Sequence, residues 1–332
     1  MENERNYLNC LKGFLIVLVV IGHFGQTISN LLPDRYKYIG HGFILFIYSF
    51  HMPLFLFVSG YLSKNLEKRR SRAVSDLLIP YLLFQLVCGC SLLVITKSSE
   101  SLRNIFVPQM GAWYLLALFG FRLLLPELTK VRGVVLLSIV LSVLCPFLII
   151  GKEFALQKSL GFFAYFIIGY TLCNNGGVKS FALLIPKWIA RILLLLELAA
   201  FIVCVHLYDC YQIIFSVFTR SLEASDSKYF IFFYITAFAI TTLTGLLVMN
   251  AISGKNRFLE KQGMDTMPMY LSHLLLFMAA GYLVNKKNVT LAISISCCLC
   301  LCSLIIFATK WYRKVFNSSL QFIKKCIFRS LE

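Results

Sequence analysis

Four of the five histidines, all within or at the ends of apolar runs, call for attention: His23, His41, His51 and His273. An ionisable side chain at membrane depth is expensive, so each needs a partner, a cavity or a chemical task. On helices rising ~1.5 Å per residue from ends near Lys12, Leu62 and Thr266, His23 and His51 lie ~16 Å along and His273 ~10 Å along, so three imidazoles can meet near mid-membrane. His41, and likewise His206, falls at the opposite end of its run, where a structural role at the interface is expected. Lys12 precedes His23 by eleven residues. That is about three turns, which puts both on one helix face ~16 Å apart. They cannot touch, but they can hold two ends of one long ligand. An ammonium at the mouth suits phosphates and an imidazole at depth suits proton transfer. A pantetheine arm carrying an acyl thioester has that order of length, which points to acyl-CoA. The uncharged ring would take the proton of an acceptor hydroxyl as that oxygen attacks the thioester carbonyl. Gln26, Thr27 and Asn30 continue the polar stripe. The bland alternative is a His23 that only hydrogen-bonds a neighbouring helix and holds a bundle together.

The elements that must position these groups follow from composition. The chain has 332 residues, 59% hydrophobic and 14% charged. Nearly every stretch of twenty residues is apolar enough to span a bilayer, so lipid must be the solvent for most of the surface. The net charge of +17 lies in short loops between apolar runs rather than on one soluble face. It therefore reads as a topology signal and not as a nucleic-acid surface. The first apolar run, about 8–28, is expected to remain as a helix, because no basic leader and small-residue cleavage site accompany it. Most of the twelve cysteines sit in apolar runs, where they act as small hydrophobes. The cluster Cys297, Cys298, Cys300 and Cys302 has no His or carboxylate beside it, so neither a structural disulfide nor a metal is expected.

Apolar runs fall near 8–30, 40–62, 77–96, 112–126, 131–150, 154–173, 183–208, 229–250, 266–285 and 289–311, and a shorter stretch at 213–219 could be re-entrant. The expected fold is an all-α, polytopic bundle of about ten transmembrane helices. With the N-terminus cytoplasmic, Lys and Arg outnumber their counterparts across the membrane about two to one, so both termini are expected inside. Residues 1–311 form one membrane domain in this reading. Residues 312–332 form a basic amphipathic cytoplasmic tail, with Tyr312, Val315, Phe316, Leu320, Ile323 and Ile327 at helical spacing, suited to lie against anionic lipid.

Several segments together resemble the type-3 membrane acyltransferases, especially the branch of fucose 4-O-acetylase-like proteins. The run from Leu11-Lys12-Gly13 to Ile21-Gly22-His23 looks like that branch's opening helix. Phe50-His51-Met52-Pro53 through Ser59-Gly60-Tyr61 resembles the second-helix signature, followed by Lys68-Arg69-Arg70 and Ile79-Pro80-Tyr81. Trp113-Tyr114-Leu115-Leu116 and Met267-Pro268-Met269-Tyr270-Leu271-Ser272-His273 complete the pattern. Single motifs are weakly specific, whereas their order and spacing cover nearly the whole chain. The resemblance implies a ten-helix bundle in the cytoplasmic membrane of a bacterium, with acetyl-CoA as the acyl donor and no metal. The acceptor would be a surface polysaccharide or lipid-linked carbohydrate. It also makes Lys12 and His23 the functional pair of the first helix. Two departures are Lys12 where many members carry Arg, whose planar fork binds phosphate oxygens in pairs, and Asn9 where an Asp usually stands.

Under that resemblance His23 is catalytic and His51 orients the acyl group or His23. Lys12, Ser59, Trp113, Tyr114, Arg122, Tyr270 and His273 line the acyl-CoA and substrate path. Ser59 and Gly60 could equally be plain helix contacts. Arg122 could snorkel to the interface, and Glu197 could pair with Arg191 or face a wet cavity. The competing functions are a transporter or flippase of a lipid-linked sugar, with the same histidines carrying protons, and a degenerate scaffold.

Overall fold

Pro33 decides how the first two helices meet. Helix α1 (Glu2–Leu31) ends just before it, and Pro33 opens α2 (Asp34–Tyr61) with φ −54° and ψ 146°. Proline has no N–H to continue a helix and is pre-set for an extended entry. A tight antiparallel pair results, and α2 packs along α1. The computed structural model describes residues 2–96, 106–148, 153–174, 185–221, 229–283 and 288–328. The ends of several apolar runs and of the basic tail, at 149–150, 183–184, 284–285 and 329–332, lie outside the described residues.

After α2 come α3 (Leu66–Ser71), a π-turn over Val74–Leu78 and α4 (Ile79–Thr96). Then follow α5 (Trp113–Leu128), α6 (Val134–Leu144), α7 (Leu156–Asn174) and α8 (Lys187–Tyr208). The short α9 (Tyr211–Phe218) fills the stretch read as re-entrant. It precedes α10 (Tyr229–Ala251), α11 (Arg257–Met264), α12 (Met267–Leu283), α13 (Val289–Ile306) and α14 (Lys310–Ile327). Among the described residues every regular element is helical. The core runs between α1, α2, α5, α7 and α12, whereas the outward faces are also apolar. Leu195 on α8 is 65% exposed, and Leu136 and Ile305 are as bare. Only a lipid exterior makes such a surface favourable.

Helices occupy all ten expected segments, but seven among the described residues are long and apolar enough to cross a membrane, not ten. The shortfall has local causes. Pro146 sits in a 3₁₀ turn that closes α6 after Leu144, α7 carries Gln157, Lys158 and Ser159 in its first turn, and α12 spans only 17 residues. Polar residues turned inward lower the apolarity of a segment without removing it from the bundle.

Close helix contacts rest on small residues, as expected where no hydrophobic effect drives helices together. A Cβ at Gly60 would lie 1.9 Å from the Phe166 carbonyl oxygen, and one at Gly169 would lie 2.0 Å from that of Phe57. Gly60 is therefore a contact between α2 and α7. The α14 helix docks rather than hanging free. Tyr312 and Ser272 hydroxyls are 2.5 Å apart, Asn317 donates to Asp265, and Lys324 pairs with Asp76 at 3.2 Å.

The glycine contact gives a stability test. Gly60→Val should lower the detergent thermal midpoint by several degrees, because overpacking a close backbone approach costs about 1–3 kcal/mol. Gly120→Ala, where an added Cβ meets nothing within 4 Å, should leave it unchanged or slightly higher. Equal midpoints for the two variants would contradict the packing.

Candidate active site

One end of the site is set where α1 crosses α11. Asn256 caps α11 by accepting from the backbone N–H of Phe258 and Leu259, satisfying donors that a helix start leaves open. Gly13 then lets the Leu259 carbonyl approach α1, and Gly263 lets the Asn9 carbonyl approach α11. Those contacts fix the register of Lys12. A cavity of about 150 Å³ opens there, lined by Lys12, Met52, Phe55, Ser59, Leu77, Tyr114, Leu115, Leu118, Arg122, Thr266, Met267 and Tyr270. Among the described residues its lining holds two cations and no carboxylate. Lys12 makes no ion pair among the described residues, and the Arg122 Nε is buried without a hydrogen-bond partner. Arg122 thus lines the cavity. Ser59 and Tyr114 share a hydrogen bond of 2.8 Å in the wall.

A second cavity, about 270 Å³, adjoins the first, with Met52 and Tyr270 in the walls of both. Its walls include His23, Gln26, Tyr48, His51, Trp113, Lys158, Phe162 and Phe277. His273, 0% exposed, stands behind His23. The His273 Nδ1 is 2.9 Å from the Met269 carbonyl oxygen, and its Nε2 is 3.1 Å from the His23 Nδ1, which also lies 3.0 Å from the Val19 carbonyl oxygen. These contacts decide the hydrogens, which heavy atoms alone do not display. A carbonyl oxygen only accepts, so His273 donates from Nδ1 and its Nε2 is left as an acceptor. The His23 Nδ1 faces two acceptors and must carry hydrogen. The His23 Nε2 is then the bare nitrogen, in a ring that lines the cavity. The reverse tautomers would set lone pairs against both carbonyls, and each unsatisfied buried group would cost about 1–3 kcal/mol. Phe277, with its ring centre 5.4 Å from that of His23, packs against the imidazole.

His51 lines the same cavity, 2% exposed, with Nδ1 2.7 Å from the Ile47 carbonyl oxygen. Its Nε2 is likewise the acceptor nitrogen. Trp113 stacks on Phe162 with ring centres 5.4 Å apart. The Tyr270 hydroxyl donates to the Gly111 carbonyl and pins the 3₁₀ turn Met110–Ala112 against α12. Buried Gln85 steadies the approach to that turn, donating to the Val107 carbonyl and accepting from the Gln109 N–H.

The structure gathers all nine sequence-selected residues around these two cavities, with His273 just behind the wall. His41 and His206 remain apart, the former stacked on Tyr211 and the latter beside Tyr38. Glu197 does not pair with Arg191. It accepts from the Thr244 hydroxyl at 2.5 Å, whereas Arg191 donates to the Ala251 carbonyl. Sequence reasoning missed Lys158, which counted there only as a loop charge, and Gln85, a lone amide within an apolar run whose depth was a usable signal. Tyr48 and Phe277 are aromatics among many and carried no signal.

Residues 5–309 match the family model described as an acyltransferase domain, acyltransferase 3. The nodulation protein NolL of Sinorhizobium fredii is 36% identical over 98 residues, covering 29% of this chain and 26% of that protein. NolL of Mesorhizobium japonicum is 27% identical over 251 residues, covering 64% and 63% of the two chains. The chain thus spans about a quarter and somewhat under two thirds of these curated relatives. No solved structure matches it.

The hydrogen assignment is measurable. In protein labelled with ¹⁵N-histidine, His23 and His273 should both carry hydrogen on Nδ1 and present a bare Nε2, and His273→Ala should shift the His23 Nδ1 resonance. A hydrogen found on the His23 Nε2 would overturn the arrangement.

Proposed function

Since this chain belongs to the acyltransferase 3 family, we propose that it moves an acyl group from acyl-CoA to a hydroxyl of a carbohydrate at the two joined cavities. The preferred donor is acetyl-CoA, as in the fucose 4-O-acetylase-like branch, and the acceptor is a surface polysaccharide or its lipid-linked precursor. The observation that carries the reading is an oriented bare imidazole nitrogen in a cavity that shares Met52 and Tyr270 with a neighbouring cavity lined by two cations. Lys12 and Arg122 would grip donor phosphates, and the orphaned Arg122 Nε supplies an unused donor for them. With both termini cytoplasmic, that cavity opens to the cytosolic donor pool.

In the reaction, the His23 Nε2 takes the proton of the acceptor hydroxyl as its oxygen attacks the thioester carbonyl. The C–S bond then breaks, the carbonyl re-forms as an ester, and the departing thiolate recovers the proton from His23 to leave as free CoA thiol. His273 holds the base in one tautomer, the part played by the third member of other nucleophile–base systems. His51 would orient the acyl group beside it. A transporter reading needs Glu197 among the histidines, whereas Glu197 lines a separate apolar groove between α8, α9 and α10.

Expression of the chain should add an acetyl-sized mass to a surface glycan. His23→Ala should reduce transfer by at least ~10²-fold with insertion intact, the usual scale for a general base. Lys12→Gln should raise KM for acyl-CoA while Lys12→Arg keeps it near wild type. Transfer retained in His23→Ala would remove the assigned base, and an unchanged glycan profile would remove the activity.

A further inference from the structure

The cavity holding His23 has its own cation, Lys158, whereas Lys12 lines the neighbouring one. Lys158 stands in the first turn of α7, on the face that also carries Gly161 and Phe162. Residues three and four apart on a helix share a face. Lys158 and Phe162 both line the cavity with His23, and among the described residues no carboxylate does. Half-buried, Lys158 joins no ion pair among the described residues. Behind Phe162 lies Arg220, 2% exposed, its guanidinium carbon 5.8 Å from that ring and 4.9 Å from the ring of Tyr234. Its Nε and Nη1 are buried without hydrogen-bond partners. Thr219 and Ser221, on either side of it in sequence, line the cavity and hydrogen-bond each other at 2.7 Å.

Two cations thus bias this cavity toward an anion, with no protein counter-charge among the described residues. An ion removed from water without a partner is costly, and the cost is relieved when a ligand brings the opposite charge. Donor phosphates do not satisfy this need, because their cations, Lys12 and Arg122, line the other cavity. We infer that the acceptor sugar carries an anionic oxygen group, a carboxylate or a phosphate, that pairs with Lys158 while the sugar's hydroxyl meets His23. The inference rests on the proposed acyl transfer and narrows its acceptor to acidic sugars. Lys158 is then a specificity-determining residue, and Arg220 adds to the local positive field from behind the wall.

The test uses the full chain purified in detergent micelles. Trp113 lines the cavity, while Trp188 and Trp311 are exposed, so Trp188→Phe with Trp311→Phe leaves one fluorescent reporter. That background is titrated with D-glucuronate, glucose 1-phosphate, D-glucose and, separately, CoA. At least one anionic sugar should bind ~10-fold or more tightly than glucose, as charge-assisted hydrogen bonds allow. Which anion binds better tells carboxylate from phosphate. Lys158→Gln should abolish the preference, Lys158→Arg should keep it, and neither should change CoA affinity. Equal binding of glucose and both anions, no saturable binding of either anion, or a preference surviving in Lys158→Gln would overturn the inference. Weakened CoA binding in Lys158→Gln would also overturn it, by assigning the cation to the donor. Failure of wild type to bind CoA would instead count against the acyl-donor reading.

Discussion

Two imidazoles in contact, His273 Nε2 against His23 Nδ1 at 3.1 Å, are the interaction on which the site depends. Alone, a histidine on a membrane helix satisfies itself with the carbonyl one turn back, as His51 does with Ile47. The second ring adds a directional constraint. Met269 fixes the tautomer of His273, His273 fixes that of His23, and the lone pair of His23 is left for substrate. Helices α1 and α12 must hold their relative rotation for this chain of contacts to survive. The close approach of α1 and α11 through Gly13 and Gly263, and the tie from Tyr270 to Gly111, supply that constraint.

Charge is distributed by the same logic. The two cavities are walled largely by aromatic and aliphatic side chains, with at least one cation in each and, among the described residues, no lining carboxylate. A low-dielectric wall strengthens each cation's pull on an anion and equally raises the cost of leaving it unpaired. Lys12 and Arg122 are accordingly suited to bind a charged donor, and the intervening apolar walls suit an uncharged acyl arm.

Much of this was legible in the residues. Polar groups inside membrane runs stand out because lipid cannot explain them, which is why Lys12, His23, His51, Arg122 and His273 could be named, and the depths of the three histidines set from helical rise. Gly60 was open between ligand approach and helix contact until the Phe166 carbonyl appeared beside it. Glu197 resolved to Thr244 rather than Arg191, since side-chain direction on a helix is not fixed by depth. The crossing count was least legible. A segment such as α7 hides polar residues in the interior, and its average apolarity then no longer reports its place in the bundle. Lys158 escaped for a related reason, because a lysine one turn inside a helix reads as a loop charge until the neighbouring helices close around it.

The account's central claim is that the bare nitrogen of His23 meets the acyl group of a CoA thioester gripped at Lys12. An electrophilic donor tests this directly, since haloacetyl-CoA carries an alkylating carbon where the acyl methyl would sit. No cysteine lines either cavity, so the site itself offers no thiol to intercept it. Incubation of the purified protein followed by peptide mass mapping should locate an adduct on His23, suppressed by excess CoA and by Lys12→Gln. An unmodified His23, or an adduct that CoA does not suppress, would contradict the account.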